Sequence, residues 1–293
     1  MRRLLARYEN GNYTVKLFSD GTKVKSTAED SFRASFPDSI DLKITDRCDL
    51  GCSMCHERSS PSGAEGDRSA PFLGTLAPGT ELAIGGGDPL SHGGLVRFLE
   101  EMRARGVICS LTVNGEHLKK SRELVKSLLK RELVHGLGVS ISHTDPEVIA
   151  FAEENKNAVL HLINGVYEDY PSLFDRGLKI LILGYKRFGR GEAFYNARVA
   201  DIMQKTKELL PTMVDKFACI SFDNLALRQL SVDALLSDAD FSRMYMGDDG
   251  EASMYIDLAG REFARSSTST ERYTLLDDVS SMFERVRVSR SEQ

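Results

Sequence analysis

The sequence predicts an α/β protein built on a parallel sheet. Three observations carry this. Short β-type runs recur at 40–44, 81–84, 107–113, 137–142, 159–163 and 178–183. Helical spacing fills most of the intervals between them. Strands that alternate with helices make parallel βαβ units, because a parallel neighbour needs a crossover long enough to hold a helix. Finally, a cysteine-rich loop follows the first of these strands, at the strand end where (β/α) folds carry their chemistry.

The chain opens with a hairpin. Residues 13–18 alternate and lead through Asp20-Gly21 to a second run at 22–25, and Asp-Gly between β-type runs is a strong hairpin signal. Pro37 and Asp38 end this N-terminal extension, residues 1–38. Residues 39–223 hold the alternating units, and 224–293 form a C-terminal extension. The strand at 40–44 runs through Thr45-Asp46-Arg47 into the cysteines, and a long polar stretch continues to Asp67. Long loops of that kind are functional or disordered, and this one reads as functional. The strand at 81–84 ends in Gly85-Gly86-Gly87-Asp88, where glycines let a ligand approach the backbone. Leu95, Phe98, Leu99 and Met102 share one face of a helix over 95–105. Further helices span 118–129, 146–153 and 193–210, with Pro146 at a first turn, where proline is tolerated. Two more short strands fall at 218–222 and 254–257.

Cys48, Cys52 and Cys55 form the pattern C-x3-C-x2-C. One loop can aim three such sulfurs at a single object, and soft thiolates select iron–sulfur clusters, zinc or Cu(I). A [4Fe–4S] cluster normally takes four cysteines, so three leave one iron open to another ligand. A structural zinc knot, with His56 or a distant residue as fourth ligand, is the alternative. Five cysteines in 293 residues are too sparse for a disulfide framework. Cys109 and Cys219 lie in apolar β-like runs and read as small buried hydrophobes.

The cysteine motif resembles that of the radical S-adenosylmethionine (SAM) enzymes, in which the amino and carboxylate groups of SAM chelate the open iron. The resemblance implies a [4Fe–4S] cluster on Cys48, Cys52 and Cys55, and a TIM-like partial (β/α)6 barrel that agrees with the run count. It places Met54 where the family has an aromatic residue beside the adenine. Gly86, Gly87 and Asp88 resemble the family's "GGE" motif, which holds the SAM amino group, with Asp88 where Glu is common. Asn114, in Thr112-Val113-Asn114-Gly115, resembles a "TNG" sequence near SAM. Ser140 and Ser142 stand where the family sets polar groups against SAM. The implied chemistry is reductive cleavage of SAM to methionine and a 5′-deoxyadenosyl radical, which abstracts hydrogen from the substrate. The implied partner is an electron donor such as flavodoxin or ferredoxin.

Lys186, Arg187 and Arg190 lie among Gly184, Gly189 and Gly191 after the sixth run. In an acidic chain this loop reads as an anion site for substrate. Together with residues 55–63 it resembles small radical SAM proteins often carried by bacteriophages. Some of these are isomerases acting on thymidine adducts during DNA hypermodification. That resemblance implies a small-molecule, nucleotide or DNA-base substrate. Peptide modification, glycyl-radical activation of a partner enzyme and non-catalytic zinc binding are the alternatives. Asn164 and Asp223 follow later strands and are available to substrate.

A net charge of −5 and a pI near 5.8 exclude a global basic field for duplex nucleic acid. Arg261, Arg265, Arg272, Arg285, Arg287 and Arg290, interleaved with acids, read as a solvated helix that frays from Ser289. The start Met1-Arg2-Arg3-Leu4-Leu5 resembles a signal peptide, but its apolar stretch stops at Arg7 and Glu9. No run approaches the ~18 apolar residues of a membrane span. The expected setting is therefore the reducing cytoplasm.

Overall fold

The computed structural model describes residues 2–288. The end expected to fray, Ser289 onward with Arg290, lies outside the described residues, as does Met1. At the N-terminus β1 (Leu4–Asn10), β2 (Tyr13–Phe18) and β3 (Lys23–Ser26) form a three-stranded antiparallel sheet. The expected hairpin is β2–β3, and β1 is additional. Its charged residues, Arg7 and Glu9, alternate with Ala6 and Tyr8, which is strand periodicity. The sheet is tied to the next unit by a buried polar knot at Asp38. Asn10 Nδ2 donates to Asp38 Oδ1 (2.7 Å), Tyr13 Oη to Asp38 Oδ2 (2.8 Å), and Lys25 Nζ lies 2.7 Å from Oδ2.

The main sheet contains β4 (Ser39–Thr45), β5 (Glu81–Gly86), β6 (Ile108–Asn114), β7 (Gly136–Ile141), β8 (Ala158–Ile163), β9 (Lys179–Leu183), β10 (Cys219–Phe222), β11 (Ser253–Asp257), β12 (Glu262–Ala264) and β13 (Tyr273–Thr274). Their order is β10-β9-β8-β7-β6-β5-β4-β11-β12-β13. All pairings from β10 through to β11 are parallel, and β12 and β13 add antiparallel. The six expected strands are thus β4–β9. The sheet extends past both ends of that set, and its order has two edges, β10 and β13, rather than a closed ring. The far end of the chain supplies β11, which lies beside β4 in the middle of the sheet.

The two faces of the sheet differ in side-chain size, with the period of two that a strand imposes. Leu82, Ile84, Leu111, Val113, Val139 and Ile141 are buried in the core on one face. Ala83, Gly85, Ser110, Thr112, Gly138 and Ser140 face the other way and are too small to fill the space there. A cavity of about 730 Å³ results.

The helices cover the apolar face. In α1 (Leu95–Ala104) the expected residues Leu95, Phe98, Leu99 and Met102 are all buried. The helix expected over 118–129 is two, α2 (Gly115–Lys120) and α3 (Arg122–Lys130), with Ser121 non-helical between them. Asn114 caps α2 by accepting the Glu116 N–H at 2.9 Å, so that helix starts directly at the strand end. α4 (Pro146–Glu154) follows β7. The helix expected over 193–210 is also divided, into α5 (Arg190–Phe194) and α6 (Ala197–Met213), because Asn196 accepts the N–H groups of Arg198 and Val199 and starts a new helix.

After β10 come α7 (Asn224–Leu230), α8 (Asp238–Met244) and, last, α9 (Val279–Val288). The C-terminal helix expected from the arginines forms as α9 with Arg285 and Arg287 exposed, but its other face is packed rather than solvated. Met282, Phe283 and Val286 of α9 are buried, and Arg287 donates to Ala34 O (2.7 Å). Among the described residues, no helix is long and apolar enough to cross a membrane.

Candidate active site

The cysteine loop is pinned at its base by backbone hydrogen bonds. Asp46 N–H reaches Ala64 O (2.8 Å), Cys48 N–H reaches Ser60 O (2.9 Å) and Gly66 N–H reaches Ile44 O (2.8 Å). Cys48, Cys52 and Cys55 are half-buried. Burial pushes the Cys48 and Cys52 thiols up, and neighbouring thiols add to it: Cys52 and Cys55 act on Cys48, and Cys55 on Cys52. A cationic centre held among these sulfurs would favour the thiolate form of each ligand. The other two cysteines are at the opposite strand ends. Cys109 is buried near the start of β6, its thiol pushed up to about 12 by burial, and Cys219 is exposed as the first residue of β10. The expected burial of Cys219 therefore does not occur. The donor set that remains, three thiols on one loop, fits a cluster that keeps one iron open.

The zinc alternative fares less well at His56, whose Nε2 lies 3.1 Å from Glu57 Oε1 and 3.3 Å from Lys186 Nζ. Cys48, Asp49 and His117 do offer donor atoms within 4.8 Å of one another. Asp49 is already engaged there, by His117 Nε2 at 2.7 Å and by Lys120 Nζ at 2.9 Å.

The glycine turn after β5 packs directly on the cysteine loop. Gly87 N–H donates to Thr45 O and Asp88 N–H to Arg47 O, both at 2.7 Å. A Cβ at Gly87 would stand 2.2 Å from Arg47 O, so only glycine fits. The Asp88 carboxylate accepts the Leu90 N–H (3.1 Å) and lies 3.5 Å from His117 Nδ1. Gly86 and Ser140 line the cavity. Asn114 is the helix cap described above. Ser142 is exposed, its Oγ 3.4 Å from His143 Nδ1, and is not among the cavity's walls. Met54 lies in a small cleft with Leu183, Gly184 and Tyr185, at the end of β9.

The basic loop at 184–191 divides its cations among different tasks. Lys186 lines the cavity, and its Nζ donates to Ser267 Oγ (2.9 Å). Arg187 is exposed, stacked over Tyr195 (4.3 Å to the ring centre) and 3.4 Å from Glu192. Arg190 is a brace. Its Nε donates to Cys52 O (2.8 Å), its Nη1 and Nη2 to Ser59 O (3.1 and 3.2 Å), and its backbone N–H to Cys55 O (3.0 Å). Gly189, at φ +58°, makes this contact possible, since a Cβ there would lie 2.2 Å from His56 O. The guanidinium expected to bind an anionic substrate is thus committed to the cysteine loop.

Arg190→Ala is expected to loosen that loop. Charged hydrogen bonds are worth about 1.5–3 kcal/mol, so exchange of the Cys48 amide should quicken about ten- to hundredfold. Hydrogen–deuterium exchange reads this directly, with Arg187→Ala as the comparison expected to leave it unchanged.

Behind the cysteines lies a charged network that sequence reasoning missed. Lys43 Nζ is 2.5 Å from Asp46 Oδ1, 2.9 Å from Glu57 Oε2 and 2.9 Å from Asp257 Oδ2. Burial disfavours the Lys43 ammonium, but Glu57, Asp46 and Asp257 together raise its pKa above the ordinary lysine value. Burial likewise opposes Glu57, yet His56 and Lys43 hold its carboxyl below the ordinary range. A signal existed in β4 itself, where Asp41 and Lys43 interrupt the apolar Ile40, Leu42 and Ile44. Asp41, His161 and Asp223 also line the cavity. Asn164 does not; it is fully buried and bonded to Gln229 Oε1 (3.2 Å).

No protein-family model matches the sequence, and no curated protein does. Solved structures match its fold. The fold resembles that of SuiB from Streptococcus suis. With precursor peptide SuiA bound, SuiB matches 86% of this chain at a TM-score of 0.60 and 13% identity. Bound to S-adenosylmethionine, it matches 86% at 0.56 and 12% identity. The chain spans 65% and 64% of SuiB's own length in these comparisons. At such identity the likeness establishes the architecture alone.

Proposed function

We propose that this protein is a radical SAM enzyme acting on a substrate held in the cavity of the sheet. The observation that carries the proposal is the loop with three half-buried thiols at C-x3-C-x2-C spacing, standing at the C-terminal end of β4 and running straight into the cavity residues His56 and Glu57. A shared fold with a protein solved with SAM supports it. In this reading Cys48, Cys52 and Cys55 hold a [4Fe–4S] cluster. Met54, Gly86, Gly87, Asp88, Asn114, Ser140 and Ser142 remain the residues assigned to SAM, with Gly86 and Ser140 best placed because they line the cavity. When bound, the cluster with SAM supplies a hydrogen-abstracting 5′-deoxyadenosyl radical. The chain's own residues orient substrate and exclude water. Arg190 fixes the loop, and the small inner faces of β5–β7 leave room for ligands. A reduced flavodoxin or ferredoxin would serve as electron donor.

A nucleotide or DNA base loses its main support as substrate. Of the cations expected to bind its phosphate, only Lys186 lines the cavity. A peptide or another small molecule fits at least as well, and SuiB was solved with a peptide.

Anaerobic reconstitution with iron and sulfide, followed by SAM and dithionite, tests the proposal. The expected result is a brown protein that forms 5′-deoxyadenosine, read by mass spectrometry. A colourless protein holding a single zinc ion would overturn it.

A further inference from the structure

The cavity holds more negative side chains than the protein balances. Asp41 lines it from β4, and among the described residues its carboxylate has neither a hydrogen bond nor an ion pair. Asp223 and Asp249 line the same cavity and act on Asp41 electrostatically. Both use Oδ1 toward neutral donors: Asp223 accepts from the N–H of Gly184 (2.9 Å) and Ala226 (2.7 Å), and Asp249 from Asn224 Nδ2 (2.8 Å). Neutral donors leave both charges uncompensated. Against these carboxylates stands the ammonium of Lys186, since Lys43 is already shared among its own three partners. His161 adds no charge, because burial lowers its pKa to about 4. Asp41 is accessible from the cavity, yet the surrounding protein, then Asp249 and Asp223, raise its pKa to about 6 against the opposing pull of Lys186.

The carboxylates come from different elements than the residues assigned to SAM, although β4 is the neighbour of β5 in the sheet. Asp41 is on β4, Asp223 follows β10, and Asp249 precedes β11. Gly86, Asn114 and Ser140 lie on β5, β6 and β7. The cavity is also lined by the apolar side chains of Ile163, Leu181, Leu183 and Phe222, the last of them next to Asp223 in the chain. An aliphatic stem with a cationic tip meets such a surface on both counts.

We infer that the cavity binds a substrate through a cationic amine on an aliphatic stem, held by Asp41 with Asp223 and Asp249. This deepens the proposed function and rests on it for the cavity being where the reaction occurs. Binding itself needs neither iron nor turnover, so it is measured on the protein as purified and again after reconstitution. Iron content and 5′-deoxyadenosine are read separately, and they alone decide the radical reading.

Ligand-observed NMR with n-butylamine, Nα-acetyl-lysine N-methylamide, butyrate and inorganic phosphate makes the test. Both amines are expected to bind and both anions to fail. Tighter binding of the blocked lysine assigns a peptide side chain as the source of the amine, and tighter binding of butylamine a free small amine. Asp41→Asn should weaken the amines about ten- to hundredfold, the worth of one charge-assisted hydrogen bond. Asp249→Asn should weaken them in the same direction, which guards against a local folding defect at β4. In the native protein, amine binding should weaken as pH falls through about 6, where Asp41 takes up a proton while the amine stays charged. Binding of phosphate or butyrate as tight as that of the amines would overturn the inference. So would affinities unchanged in both variants. Full displacement of the amines by SAM would assign the carboxylates to the cofactor's sulfonium and also overturn it.

Discussion

Cys52→Ala is expected to abolish both cluster binding and SAM cleavage, and Cys48→Ala and Cys55→Ala to do the same. The three thiols are the donor set of one loop, and loss of one leaves two where a cluster with an open iron needs three. The other thiols cannot substitute. Cys109 is buried near the start of β6 and Cys219 sits exposed at the start of β10, both at the strand ends away from the loop. Cys109→Ser and Cys219→Ser should therefore keep the iron and sulfide content of the native protein, apart from any stability lost by placing a hydroxyl in the core at Cys109. Iron and sulfide assays with anaerobic spectra, beside 5′-deoxyadenosine yield, make the measurement. Full SAM cleavage by Cys52→Ala would refute the assignment of the loop. Metal retention in that variant with a single bound zinc ion would point instead to Cys48 with Asp49 and His117, whose donor atoms converge.

Much of the architecture was legible because it rests on periodicity. The runs at 40–44, 81–84 and 159–163 alternate or stay apolar over strand lengths, and each falls within the strand that forms there. Helix boundaries were less legible. At Asn196 short-range side-chain bonding to the N–H groups of Arg198 and Val199 decides where a new helix starts, whereas Ser121 makes no such cap bond and the break there has no local side-chain signal. The site was legible where a motif spans few residues. It was hidden where it joins distant ones. Lys43 and Asp257 are 214 positions apart and bonded at 2.9 Å. Nothing local announces such a pair beyond a charge in an apolar strand. Arg190 shows the opposite failure. Its charge and its glycine neighbours are the features of an anion site, but the same features let a guanidinium reach backbone carbonyls at close range.

Lys43→Met should give the largest loss of stability of any single substitution considered. The side chain is 7% exposed, and its ammonium is the cation shared by Asp46, Glu57 and Asp257. Methionine keeps the length of the stem but leaves those carboxylates facing one another. Removing one member of a buried charge set costs about 3–5 kcal/mol, more than the set itself contributes, because the remaining charges stay desolvated. That corresponds to a fall in Tm of roughly 6–20 °C for a chain of this size. The effect should depend on pH with a definite sign. His56 and Lys43 hold Glu57 below its ordinary 4.5 against the effect of burial, so its contribution is present above that pH and is lost as pH falls through the lowered value. In Lys43→Met the carboxylates are instead relieved by protonation. The stability gap between native protein and variant should therefore narrow below pH 4.5. Adding Glu57→Gln and Asp257→Asn to Lys43→Met should recover part of the loss at neutral pH, since neutral amides need no cation. Chemical denaturation at neutral and acid pH makes the comparison. A variant as stable as the native protein, or a gap that widens in acid, would show that the Lys43 network does not hold β4, β11 and the cysteine loop together.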